Sequence, residues 1–468
     1  MARPDEPIHF GTDGWRAVIA DEFTFANVRR IADATGSVVA AEHPGAAVVV
    51  GYDMRFEADA FAAAAAEVLA SHGLTVRLSD RPIPTPGLSW AADRSDAVAG
   101  VMITASHNPA KYCGFKIKMA DGGSAAPEFT KRIEAALSDE VPTARGEFET
   151  ADLVGPYVAD LATLVDGEAI RSAGLRTVID PLYGAGQGYL AGIMRRLGVT
   201  VDEIHGEPNP GFGGLHPEPI PPYIDDMTRR VVELGFDAGF TTDGDADRIG
   251  ACDRHGAFVN PQRIFGLVLL HLARDRGMTG RVLKSITTTV LIDRLCAHLG
   301  LPCETTPVGF KFIHEKMVDG DGPVLIGGEE SGGIAVTSHL VERDGLAMAL
   351  YLAEMMAQGG HSLDELVSDM FAITGPMEYR RVDLTLDPAI KHAFVGSIPD
   401  LAPASLGGQQ VLGILHTDGV KFLLPEDSWM LLRASGTEPL VRVYAEASST
   451  SAVDALLDAG RALVTRGL

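Results

Sequence analysis

The sequence predicts an α/β protein: three similar α/β units with mixed sheets, followed by a C-terminal α+β unit. A length of 468 residues leaves room for two to four cores. Through the first three units short apolar runs alternate with helical segments, the pattern of strands joined by crossover helices. After Gly375 the pattern changes to closely spaced short strands. These shifts place the units at residues 1–150, 151–255, 256–375 and 376–468.

The first unit opens with the turn-rich Gly11-Thr12-Asp13-Gly14-Trp15-Arg16. Residues 46–51 read as a strand, 59–72 as an alanine-rich helix, 75–78 as a strand and 97–103 as a buried strand of small and β-branched residues. Residues 115–119 alternate apolar and cationic side chains, so Lys116 and Lys118 point to the same side of a strand. A helix at 127–137 and a polar stretch at 139–150 close the unit. The second unit runs from a strand at 175–180 through the glycine-rich turn 183–186 to a helix ending at Gly198. A proline- and glycine-dense loop at 207–222, a helix at 225–235 and a strand at 237–241 complete it. The third repeats the theme, with a helix at 261–276, a strand at 282–285, a helix at 290–300, a strand at 324–326 and a last helix at 346–358. The fourth has strands at 382–384, 419–423, 430–432 and 440–445 and a helix at 452–466, with Ser451 and Asp454 as its capping box.

A formal net charge of -24 argues against nucleic acid or an anionic membrane as partner. Any phosphate the chain binds must then be met by local positive charge or a metal ion. The four cysteines, Cys113, Cys252, Cys296 and Cys303, have no CxxC spacing, which fits reduced thiols rather than a zinc site or a disulfide framework. The first residues carry Asp, Glu and Pro instead of an apolar signal region, and no apolar run is long enough to span a membrane. A cytoplasmic protein is expected.

Four loops carry the chemistry. Thr104-Ala105-Ser106-His107-Asn108-Pro109 places a hydroxyl just past a buried strand, and Asn-Pro blocks continuation as strand or helix. Ser106 is thereby displayed at the carboxyl edge of a sheet, where open α/β sheets bind ligands. Asp243-Gly244-Asp245-Ala246-Asp247-Arg248 sets three carboxylates at alternate positions; if the loop is extended, all three fall on one side and suit Mg²⁺ or Ca²⁺. An EF-hand would need Gly and Glu where Arg248 and Arg254 stand. An aspartyl-nucleophile phosphatase would carry Thr or Val in place of Asp247. Gly327-Gly328-Glu329-Glu330-Ser331-Gly332-Gly333 lets backbone approach a ligand while Glu329 and Ser331 bond sugar hydroxyls. Arg433-Ala434-Ser435-Gly436-Thr437-Glu438-Pro439, followed by Arg442, can cradle a phosphate without a P-loop, so nucleotide hydrolysis is not supported.

At these four loops the chain resembles the α-D-phosphohexomutase family, the phosphoglucomutases and phosphomannomutases, and the loops occur in the family's order. The resemblance implies four domains around a central cleft, one loop from each. It makes Ser106 the carrier of a phosphoryl group, and Asp243, Asp245 and Asp247, with a phosphoserine oxygen, the ligands of one Mg²⁺. Glu329 and Ser331 would read the sugar, while Arg433, Ser435, Gly436 and Thr437 would hold the phosphate that is not reacting. Lys116 matches a family general acid or base. Arg16 and His107 would meet the substrate, Lys311 of Pro307-Val308-Gly309-Phe310-Lys311 would touch it, and Arg248 and Arg442 would add positive charge. The implied reaction interconverts hexose 1-phosphate and hexose 6-phosphate through a hexose 1,6-bisphosphate, in a monomer or homodimer. Phe-Lys in the 307–311 segment, where members of dual specificity often carry His, and Glu330, where the glucosamine branch has Gln, favour glucose; a phosphomannomutase or dual-specificity mutase is the alternative. A Mg²⁺-dependent sugar phosphatase and a non-catalytic sugar-phosphate sensor are the remaining rivals. Lys116 is expected to reach a basic form if Lys118 or the metal lowers its pKa.

Overall fold

The computed structural model describes residues 8–11, 13–398, 401–434 and 440–466. The first sheet contains β1 (Trp15–Val18), β2 (Ala47–Tyr52), β3 (Thr75–Ser79), β4 (Ala97–Ile103), β5 (Tyr112–Met119) and β6 (Glu149–Ala151) in the order β1-β5-β4-β2-β3-β6. Its helix-linked strands pair in parallel, but β5 runs antiparallel to both β4 and β1. The link from β4 to β5 is too short for a crossover, so the chain turns back at the Ser106 loop. Edge strand β6 lies at the end of the polar stretch 139–150; its exposed residues give no apolar alternation to read.

The second sheet, β7 (Arg176–Asp180), β8 (Thr200–Glu203), β9 (Ala238–Thr242), β10 (Ile249–Asp253) and β11 (Phe258–Val259), has the order β11-β10-β9-β7-β8. The third, β12 (Arg281–Ser285), β13 (Cys303–Thr306), β14 (Val324–Gly328) and β15 (Ile334–Val336), has the order β13-β12-β14-β15. Each is parallel at the centre and at one edge, β8 or β13, and antiparallel at the other, through β9-β10-β11 or β14-β15. Apart from a small ribbon of β17 (Ser405–Leu406) and β18 (Gln409–Gln410), the last unit holds one wholly antiparallel sheet. It joins β16 (Glu378–Thr385), β19 (Gly413–Leu415), β20 (Val420–Leu423), β21 (Trp429–Ala434) and β22 (Leu440–Ala447) in the order β16-β22-β21-β20-β19. The architecture is three α/β/α units and a C-terminal α+β unit, as the sequence predicts.

The second and third units share one continuous apolar core, centred on the helix Gly345–Gly359, which is buried on nearly every side. The first and last units keep cores of their own. The last unit meets the third through a small cluster of Ile286, Trp429, Leu431 and Tyr444.

Three local expectations are corrected. The third unit does not end with the helix at 346–358, because Ser362 and Glu365 cap a further helix, Leu363–Thr374. The helix expected at 261–276 is α-helical only over Pro261–Leu270 and widens into a π turn at His271–Asp275, where the His271 ring contacts both Asp275 and buried Glu354. The C-terminal helix starts at Thr450; Ser449, not Ser451, accepts from the Ala452 N–H, and Asp454 pairs with Arg380.

Candidate active site

The Ser106 loop is built to hold one hydroxyl still. Ser106 is buried at φ +52°, a left-handed conformation that a serine adopts only where its surroundings enforce it. Its N–H donates to Thr104 Oγ1 at 2.9 Å, and Thr104 Oγ1 donates to Asp53 Oδ2 at 2.6 Å. Arg55, whose side chain is wholly buried, supplies the rest. Its Nε donates to Asp53 Oδ2 at 3.1 Å, Nη2 to the carbonyls of Ser106 and Asn108 at 2.6 and 2.7 Å, and Nη1 to those of Pro109 and Tyr112 at 3.0 and 2.8 Å. Its guanidinium also lies 5.0 Å from the Phe212 ring centroid, in a loop of the second unit. Sequence reading missed Asp53 and Arg55, although they follow β2 at the same carboxyl edge that singled out Ser106.

The acidic loop after β9 meets this turn back to back. A Cβ on Gly244 would stand 2.4 Å from the Ser106 carbonyl oxygen, so only glycine permits the approach. The loop is not extended, as the alternation suggested. It turns at Ala246, φ +60°, with the Ala246 N–H donating to the Asp243 carbonyl at 3.1 Å. The turn still converges the carboxylates: one oxygen each of Asp243, Asp245 and Asp247 lie within 4.8 Å of one another, all buried. Ser106 Oγ donates to Asp243 Oδ2 at 2.9 Å.

Burial and then the charges of Asp247 and Asp245 push the Asp243 carboxyl well above its usual range. Asp245 is held low instead: against the upward push of burial, Lys116 and the Thr85 hydroxyl, 2.6 Å from Oδ2, stabilise its anion. Asp245 Oδ1 and Asp247 Oδ1 are buried and accept no hydrogen bond among the described residues. Three buried carboxylates crowded together, two of them with unpartnered oxygens, are hard donors that fit a divalent cation such as Mg²⁺.

Cations ring the triad. Lys116 Nζ lies 2.8 Å from Asp245 Oδ2, 2.9 Å from Asp13 Oδ2 and 3.6 Å from Asp247 Oδ2. Burial would lower its pKa, yet these three carboxylates raise it. The expected lowering by Lys118 is therefore corrected: Lys118 Nζ is engaged by Glu342 Oε2 at 2.5 Å and Ser124 Oγ at 3.0 Å. Arg343 Nη2 bridges Asp13 and Asp247 at 3.0 and 2.9 Å. Thr85, Asp13, Glu342 and Arg343 were not legible as site residues, since each acts through a partner far away in sequence.

Arg248 is tied to the triad through its N–H, which donates to Asp243 Oδ1 at 3.1 Å, and its side chain faces Glu218 at 3.7 Å. Arg16 Nη1 donates to Asn108 Oδ1 at 2.7 Å, beside the serine. His107 Nδ1 stands 3.4 Å from Ser106 Oγ, and burial, then Arg248 and Arg16, hold the imidazole neutral. Glu329 is buried, accepts the Gly309 N–H at 2.9 Å, and is pushed up to about 7 by burial and by Glu330. Glu330 turns to Ser285 and Thr287, at 3.3 and 2.5 Å, while Ser331 is half-buried. Lys311 lines a cavity of ≈190 Å³ together with Asp13 and Ser124.

Arg433 and Arg442 face each other across β21 and β22. Arg433 Nε donates to Asp418 Oδ2 at 2.9 Å. Ser435, Gly436 and Thr437 lie outside the described residues. The structure thus gathers the serine, the three aspartates, Lys116, Arg248, Arg16 and His107 into one site bordered by Glu329. No described helix is long and apolar enough to cross a membrane.

Four family models match in succession. They are phosphoglucomutase/phosphomannomutase alpha/beta/alpha domain I over residues 7–143, domain II over 155–256, domain III over 260–373, and the C-terminal domain over 387–462. A phosphoglucomutase/phosphomannomutase of Thermococcus kodakarensis is 30% identical over 98% of this chain and 99% of its own. A phosphoglucosamine mutase of Rhodococcus jostii is 31% identical over 96% of this chain and 97% of its own. A crystal structure assigned provisionally as a phosphomannomutase, from Thermus thermophilus, superimposes with a TM-score of 0.89 at 41% identity, covering 98% of this chain and 99% of that one. The chain belongs to the phosphoglucomutase/phosphomannomutase family, whose members are phosphotransferase isomerases.

Proposed function

We propose that this chain interconverts glucose 1-phosphate and glucose 6-phosphate by way of a phosphoserine at Ser106 and a bound glucose 1,6-bisphosphate. The observation that carries the reading is the 2.9 Å contact between the Ser106 hydroxyl and Asp243, which sets a fixed nucleophile against a three-carboxylate cluster. Phosphoryl transfer asks mainly for positioning and charge neutralisation. Asp243, Asp245 and Asp247, with a phosphoserine oxygen, would hold one Mg²⁺, on which the family depends and which neutralises charge on the transferring group.

The chain's own residues divide the remaining work. Ser106 Oγ carries the phosphoryl group, while Lys116, Arg248 and Arg16 surround it with positive charge and neutral His107 lies beside it. Glu329 and Ser331 bond sugar hydroxyls, and Lys311 approaches from the cavity side. Arg433, Ser435, Gly436, Thr437 and Arg442 grip the distal phosphate. The bisphosphate must turn end over end between half-reactions, so this nest has to accept either end, a task suited to a unit with a core of its own. Relatives are named for glucose, mannose and glucosamine substrates. Glucose is favoured here by Glu330 and by Phe310-Lys311. Four free cysteines support a cytoplasmic setting.

The test is a coupled assay of glucose 1-phosphate, mannose 1-phosphate and glucosamine 1-phosphate, primed with traces of the matching bisphosphate. Glucose 6-phosphate should form fastest without release of inorganic phosphate, and Ser106→Ala should lose activity by about 10³-fold or more. Release of inorganic phosphate as the main product, or turnover by Ser106→Ala near the parent rate, would end the proposal.

A further inference from the structure

Asp418 belongs to none of the four loops, yet it stands where two of them meet. It lies in the turn between β19 and β20, and its Oδ2 accepts both Arg433 Nε at 2.9 Å and the Val308 N–H at 3.0 Å. The next N–H along, that of Gly309, donates to Glu329 Oε1 at 2.9 Å. Two successive amides of the 307–311 segment are therefore held by two carboxylates, one from the phosphate side of the cleft and one from the sugar side. Val308 also packs on the Ile286, Trp429, Leu431 and Tyr444 cluster that joins the last two units.

The turn has little room to place Asp418 elsewhere. Gly419 has φ +87°, and a Cβ there would stand 2.2 Å from the Leu432 carbonyl oxygen. Only glycine lets the turn lie against β21, which brings residue 418 beside Arg433. The pair is largely shielded, with Asp418 25% and Arg433 17% exposed.

We infer that Asp418 is a positioning residue: it fixes Arg433 by its Nε edge, presents the paired Nη groups to the substrate's distal phosphate, and ties that arginine to the 307–311 segment. The chemistry is that of a guanidinium fork, which binds a carboxylate on one edge and a phosphate on the other. The inference rests on the reading of Arg433 as a phosphate ligand, and a double-mutant cycle separates the two.

Asp418→Ala should raise KM for glucose 1-phosphate about tenfold with kcat changed by less than about threefold. Asp418→Asn, which keeps shape and an acceptor oxygen, should raise it about threefold and serves if the alanine variant does not fold, as thermal unfolding reports. In an Arg433→Ala background, Asp418→Ala should move KM by less than about twofold, because its route to substrate through Arg433 is gone and only its hold on the Val308 N–H remains. The inference is overturned if Asp418→Ala and Asp418→Asn leave KM unchanged while Arg433→Ala raises it. It is equally overturned if Asp418→Ala raises KM as much without Arg433 as with it. Should Arg433→Ala itself leave KM unchanged, the phosphate-nest reading falls, and this one with it.

Discussion

Replacing Arg55 by lysine tests whether the serine is held by the scaffold or merely lies near the metal loop. The side chain is fully buried and its five donor contacts reach Asp53 and the carbonyls of Ser106, Asn108, Pro109 and Tyr112. An ammonium has three donors without the planar fork, so at least two of those five contacts are lost. A hydrogen bond from a charged donor is worth roughly 1.5–3 kcal/mol, which puts the loss of two at about 3–6 kcal/mol. Four of the five contacts end on the Ser106 loop or its return into β5, so the cost falls on the geometry of the hydroxyl. Displacement of a reacting group by about 1 Å commonly costs on the order of 10² in rate. Arg55→Lys should therefore lower kcat by about 10²-fold and lower Tm, read by the coupled assay and by thermal unfolding. A variant with kcat within about threefold of the parent and Tm within about 1 °C would refute the reasoning.

Three further outcomes follow from the site. Glu329 is buried and raised from 4.5 to about 7, so between those values it ionises in the unfolded chain before it does in the folded one, and stability falls as pH rises through that window. Glu329→Gln removes a penalty of at most about 3 kcal/mol, and its gain in Tm over the parent should be larger at pH 8 than at pH 4; an equal gain at both would show that the carboxyl is not raised. Adding Mg²⁺ to chelator-treated protein should raise Tm, by about 2.7 kcal/mol of stability at a hundredfold excess over Kd, and Asp245→Asn or Asp247→Asn should abolish that rise; an undiminished rise in both would place the cation elsewhere. Lys116→Met should lower kcat on the order of 10²-fold or more, because three carboxylates lose a shared cation; turnover within a few-fold of the parent would remove it from the chemistry.

The sequence by itself singled out four loops. Ser106 after an apolar strand, three aspartates after another, and glycine- and arginine-rich turns after two more are local patterns, and each marks a place where backbone turns and side chains can face a ligand. The alternation of strands and helices likewise settled the architecture, because period and turn chemistry are written within short windows. What only the tertiary structure decided is how charges are shared. The three aspartates converge because Ala246 takes a left-handed conformation, not because the loop is extended. Lys116 stays charged because Asp13 and Asp245 flank it, and Arg343 reaches Asp13 across 330 residues of chain. Arg55 and Asp418 show no motif at all; their roles follow from which carbonyls, amides and guanidinium come within 3 Å. Electrostatic fields and hydrogen bonds act through space, so a residue's protonation and aim depend on neighbours that the order of the chain does not disclose.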